Sequence, residues 1–207
     1  MTNPARPEES EVARHVARTA ARLFARRGFE ATSIREIVEA AGVAKPTLYY
    51  HFGSKEGLAR ALLFEPLARL GESLERIVGE PGDAVEVLEK LLEAHFAFCR
   101  EDPDRFRFFF AVVFGPPEAE VALLMECCKH NLQNWTDAAF RRCVEAGVLA
   151  SEDLDEFATM YRGVLAMSVI DFLYQDKPLG EDRAPVLVAG LLRGFKGARQ
   201  SGRDLRR

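Results

Sequence analysis

Residues 32–58 read TSIREIVEAAGVAKPTLYYHFGSKEGL, and this run decides both the fold and the place of the candidate site. Ser33 followed by Glu36 three positions later has the form of a capping box, which opens a helix reaching to about Ala41. Gly42 supplies a residue free to turn left-handed, and a further short helix is expected over about Lys45–His51. Small Ala40 and apolar Ile34, Ile37, Val43 and Leu48 are spaced to fix the crossing of the two helices. Two short helices about a glycine turn form a helix-turn-helix, and the second helix of such a unit is shaped to enter a DNA groove. Its outward residues, Lys45, Thr47, Tyr49, Tyr50 and His51, combine phosphate donors with aromatic faces for base edges and thymine methyls. Lys55, where the next helix begins, places a cation beside helix N-terminal amides.

Upstream, Val12, Val16, Ala20, Leu23 and Phe24 recur on one stripe between Glu11 and Arg27, flanked by Arg14, Arg18, Arg22 and Arg26. Gly28 is the expected terminator of that helix. Residues 1–9, polar and proline-bearing, are expected to be a flexible arm. Downstream, the period stays at 3.6. Helices are expected from Ser54 to about Val78 with a kink or break near Pro66, over Ala84–Arg100, and over about Pro103–Phe114. Three more follow, ending near Ala146, Gln175 and Gln200. About nine helices without strands make an all-α protein.

Composition fits a globular chain. Of 207 residues, 48% are hydrophobic and 29% charged, and the net charge of −4 argues against a globally basic nucleic-acid binder. Charge is unevenly spread. Residues 1–60 hold 10 Lys/Arg against 7 Asp/Glu, whereas the remainder holds 18 against 25. A mildly basic head on an acidic body suits a small DNA reader attached to a larger domain of another purpose. Cys99, Cys127, Cys128 and Cys143 form no C-x-x-C pair, which points to a reducing, cytoplasmic setting. No export signal or membrane span is expected.

The ordered string G-F, T-S, I-x-x-A-A-G-V, T-L-Y-Y-H-F and S-K-E within residues 11–60 resembles the DNA-binding domain of the tetracycline-repressor (TetR) family. That resemblance implies dimeric, all-α, mostly ligand-responsive transcription regulators. Carried over position by position, it implies DNA contacts from Thr32, Ser33, Arg35, Lys45, Pro46, Thr47, Tyr49, Tyr50, His51 and Lys55. One departure is visible: Ala44 stands where relatives commonly place Ser or Thr, removing a helix cap worth about 1 kcal/mol. Pro46 offsets part of this by presetting a helical φ.

The resemblance divides the chain into an arm (1–9), a helix-turn-helix domain (10–55) and a helical ligand-binding and dimerisation domain (56–207). Bulky rings and isolated polar groups on apolar faces nominate His95, Phe96, Cys99, Phe106, Phe110, Cys128, Asn131, Trp135 and Tyr161 as pocket residues. The last two helices are apolar around most of their circumference, so Leu165, Phe172, Leu191 and Phe195 are expected in a four-helix dimer interface. The expected function is a repressor that binds a near-palindromic operator as a homodimer and is released by a small, largely apolar effector. The alternative is a DNA-binding or architectural protein without an effector. No nucleophile motif, metal-ligand spacing or phosphate loop points to an enzyme, and no cofactor or metal is expected.

Overall fold

The computed structural model describes the backbone of residues 7–115 and 120–204, and the side chains of residues 11–115, 121 and 130–195. Among the described residues there are nine α-helices and no strand. They are α1 (Pro7–Arg27), α2 (Ile34–Ala41), α3 (Lys45–Phe52), α4 (Lys55–Gly79), α5 (Ala84–Glu101), α6 (Pro103–Val113), α7 (Glu120–Glu145), α8 (Leu154–Tyr174) and α9 (Arg183–Asp204), with one 3₁₀ turn at Ser151–Asp153.

Two boundaries differ from expectation. The first helix takes in Pro7 onward, so the expected arm of residues 1–9 is helical over its last three residues, and residues 1–6 lie outside the described set. Proline is well suited to the first position of a helix, where its missing N–H is no loss. Further on, α4 continues through Pro66 as a single helix. Leu62, Leu63, Pro66 and Leu67 are all buried, so packing holds a helix that the proline alone would weaken.

The chain forms two compact units, one of residues 1–69 with 102–128, the other of residues 70–101 with 129–207. In the first, α1 is the spine. Val16, Ala20, Ala21 and Phe24 are fully buried, and Phe24 meets Phe29 at 5.1 Å and Phe108 of α6 at 4.9 Å between ring centroids. That aromatic contact is why α6, assigned by the sequence to the C-terminal part, clusters with the head. Ile37, Val38 and Ala41 of α2 and Leu48 of α3 complete this core.

In the second unit, α5 packs on α8 and α9. Val87, Leu88, Leu91, Leu92 and Phe96 of α5 are buried with Phe140, Phe157 and Tyr161, whose rings meet edge-on at 5.1–5.5 Å for Phe140 with its two neighbours. The loop between α4 and α5 is held by one distant side chain. The Arg142 guanidinium donates to the carbonyls of Val78 (3.0 Å), Glu80 (2.7 Å) and Gly82 (2.6 Å).

Candidate nucleic-acid interface

The local chemistry of residues 32–53 is the expected one. Ser33 caps α2: its Oγ accepts from the Glu36 N–H at 3.2 Å, and the Glu36 carboxylate accepts from the Ser33 N–H at 2.8 Å. The Ser33 backbone N–H, with help from its hydroxyl, holds the Glu36 carboxyl below the usual carboxylate range. Gly42 ends α2 at φ 64°, a left-handed conformation that a Cβ disfavours, and Val43 N–H returns to the Val38 carbonyl at 3.1 Å. Ala44 gives α3 no side-chain cap, as its lack of a polar atom requires, and Pro46 stands in the first turn. Gly53 closes α3 at φ 72°.

Leu48 is the buried anchor of α3, Phe52 is half-buried, and the exposed residues of the helix are Lys45, Pro46, Tyr49 and Tyr50. Tyr49 is 42% and Tyr50 74% exposed, large values for side chains of this size. Lys45 and Pro46 are exposed, while Thr47 and His51 are half-buried. The Lys45 ammonium lies 5.7 Å from the Tyr49 ring centroid, and the Tyr50 and His51 rings meet at 5.0 Å. α3 thus carries two contact pairs, a cation with a ring and a ring with a ring. On α2, exposed Arg35 is paired with Glu39 at 2.7 Å, which pushes its pKa up. Arg27 pairs with Glu36 at 2.8 Å, a tie between α1 and the cap of α2 that the sequence reading passed over.

Beyond Ser33 and Arg35, which bond to Glu36 and Glu39, two more nominated residues have partners within the head. Thr32 is buried, and its hydroxyl donates to the Gly28 carbonyl at 2.8 Å. The Lys55 ammonium is half-buried and donates to the carbonyls of Phe29 and Thr32. Both side chains shape the turn between α1 and α2.

The nominated pocket residues do not fall in one unit. Phe106 and Phe110, 5.3 Å apart, belong to the first, and His95, Phe96, Cys99, Asn131, Trp135 and Tyr161 to the second. The side chain of Cys128 lies outside the described residues. His95 is buried, and its Nδ1 is 2.7 Å from the Leu91 carbonyl; burial lowers its pKa, so the ring is a neutral imidazole donating from Nδ1. Tyr161, fully buried, donates to the Leu88 carbonyl at 2.8 Å, and burial raises its pKa. Asn131 is exposed and Trp135 half-buried. Burial, with the Asp83 carboxylate, pushes the Cys143 thiol up to about 11, which leaves it inert at neutral pH.

Of the nominated interface residues, Leu191 is buried and Leu165 and Phe172 are half-buried. Phe195 is half-buried with its ring 5.5 Å from Phe157. Among the described residues of α8 and α9, the exposed large apolar side chains are Met160, Met167, Tyr174 and Val186. Positions 160, 167 and 174 repeat every seven residues, a stripe legible in the sequence. No metal-ligating cluster occurs among the described residues, and no described helix is long and apolar enough to cross a membrane.

Residues 17–62 match the model of the bacterial regulatory proteins, tetR family. The transcriptional activator FasR of Mycolicibacterium smegmatis is 30% identical over 171 residues, covering 80% of this chain and 74% of FasR. The TetR family regulator PfmR of Thermus thermophilus superposes with a TM-score of 0.70 at 28% identity, over 86% of this chain and 97% of PfmR. AibR, solved with isovaleryl coenzyme A and operator DNA, shares the fold at a TM-score of 0.62 and 22% identity, over 87% of this chain and 96% of AibR.

Proposed function

The chain belongs to the TetR family of bacterial regulatory proteins, a DNA-binding transcriptional regulator and not an enzyme, and from that premise we propose that it is a homodimeric, effector-released repressor reading a near-palindromic operator through α3. One observation carries the reading. On a helix held by a single buried leucine, Lys45, Tyr49 and Tyr50 stand exposed together behind a left-handed glycine turn. Exposed aromatics with a cation suit base edges and phosphates. Ser33, Arg35, Pro46, Thr47 and His51 complete the contact set. Two copies of α3 must lie about one helical turn of DNA apart, roughly 34 Å.

Dimerisation is assigned to α8 and α9. Support comes from the exposed Met160–Met167–Tyr174 stripe of α8 and from exposed Gly163 and Gly190, where an added Cβ would meet open space. A small, largely apolar effector in the C-terminal part is supported by the ring-rich core of the second unit. AibR, bound to an acyl thioester and to operator DNA, is a precedent of the same fold. The effectorless alternative is favoured by one detail: His95 and Tyr161 direct hydrogen bonds to Leu91 and Leu88 of their own chain.

The test is a duplex enriched by the wild-type protein from a random pool. Tyr50→Ala should bind it at least about tenfold more weakly while remaining folded. Met167→Glu should yield monomers by light scattering and lose the palindrome. Unchanged binding by Tyr50→Ala would remove the assignment of α3.

A further inference from the structure

Where α6 packs along α1, one face of α6 is underfilled. Phe108, Ala111 and Val112 share that face at helical spacing, and Gly115 follows one turn on. Phe108 is fully buried, and its ring lies 6.5 Å from that of Phe29 with the two planes 20° apart. Beyond these rings the walls fall away. Gly28 and Ala31 of the turn between α1 and α2, with Ala111 and Gly115 opposite, carry no atom beyond Cβ, and a Cβ added at Gly28 would meet nothing within 4 Å. The result is a recess of about 270 Å³ within the first unit, open to solvent on one side, with Phe29, Phe108, Val112 and Val121 as its apolar lining.

Water gains little there. A held water needs about three hydrogen-bond partners, and the carbonyls of two lining residues are already taken. Gly28 accepts from the Thr32 hydroxyl at 2.8 Å, and Phe29 accepts from Lys55 Nζ at 3.0 Å and from the Thr32 N–H at 3.2 Å. An apolar ring gains more, since an apolar cavity of roughly 150 Å³ already takes a benzene. The larger volume here suits two fused rings. The rim adds a choice of charge. Arg27 is paired with Glu36 at 2.8 Å, whereas exposed Glu30 has no partner among the described residues. The charge left unpaired is negative, which disfavours an anion and suits a neutral or cationic molecule.

We propose that this recess is a binding site for a small neutral or cationic ring compound about the size of indole, separate from the effector assigned to the second unit. It borders residues 28–31, and the Thr32 N–H closes that turn one residue before Ser33, the cap of α2. An occupant therefore packs on the turn that leads into α2 and α3. The site stands independently of the assignment of α3 as the DNA-reading helix, because no residue of α2 or α3 lines it.

The test titrates the isotope-labelled full chain with indole, tryptamine and indole-3-acetate, which share one ring system and differ in charge. The expected result is saturable movement of the amide resonances of residues 28–31 and 111–115, with a Kd below about 1 mM for indole. Tryptamine should bind as well or better, and indole-3-acetate at least about tenfold more weakly. Amide exchange at Thr32 should slow in the indole-bound protein. Ala111→Phe places a ring in the recess from an exposed position and should abolish these shifts; Ala31→Leu serves the same purpose if the first variant does not fold. Shifts confined to the second unit, no saturation up to about 5 mM, or shifts that survive in the filled variant overturn the site. Equal affinities for all three compounds overturn its charge preference.

Discussion

The α2–α3 pair and the α5–α8–α9 packing of the second unit use aromatic and polar side chains in opposite ways. On α3, Tyr49 and Tyr50 are exposed, and among the described residues only Lys45 and His51 of the same helix lie against their rings. In the second unit, Tyr161 is fully enclosed, edge-on to Phe140 and hydrogen-bonded to Leu88, and His95 is buried on Leu91. A tyrosine left exposed on an eight-residue helix contributes little to folding and is available to a partner. One that is packed and hydrogen-bonded contributes to stability first. Residue type alone does not separate these cases; surroundings do.

The contrast can be broken by measuring stability and binding on the same variants. Phe140, buried at 1% exposure against Phe157 and Tyr161, should show the largest effect. Phe140→Ala is expected to reduce unfolding free energy by about 3–5 kcal/mol in a urea titration, against no more than about 0.5 kcal/mol for Tyr50→Ala. Comparable losses for the two would erase the distinction.

A second measurement sharpens the account of His95. Its folded pKa is depressed by burial, so the unfolded chain takes up the proton first. Its stabilising contribution is then full above the ordinary histidine pKa of about 6.5 and declines as pH falls below that, by at most about 1.4 kcal/mol per pH unit. His95→Leu should flatten that part of the stability curve between about pH 6.5 and pH 5. Parallel curves for the two proteins would show that His95 is solvated or charged in the folded state.

The smallest effect belongs to the head. Ala44 has the extended backbone of a helix cap, φ −75° and ψ 146°, but no oxygen to offer. Ala44→Ser should raise stability by about 1 kcal/mol. A neutral or negative change would mean that the first turn of α3 already has its partners.

The head was legible because its instructions are local. Ser33, Glu36, Gly42, Ala44, Pro46 and Gly53 each act within four residues of their own position, through caps and left-handed turns whose chemistry is written in the residue type. What stayed hidden depends on distance along the chain. Lys55 reads as a surface cation beside a helix start, and nothing near it in sequence announces carbonyls 23 and 26 residues upstream. Likewise α6 gives no sign that Phe108 will meet Phe24. Among the nominated interface residues, Leu191 is buried and Phe195 half-buried on Phe157, whereas the exposed stripe of Met160, Met167 and Tyr174 follows a seven-residue spacing.

Arg142 carries a consequence for the order of assembly. It holds the Val78 carbonyl at the end of α4 and two carbonyls of the following loop from 60 to 64 residues further along the chain. During synthesis at about 5–20 residues per second, that loop leaves the ribosome roughly 3–12 seconds before the side chain that secures it. Until then the carbonyls of Val78, Glu80 and Gly82 must find their donors in water, so the connection between α4 and α5 is completed only when the end of α7 arrives.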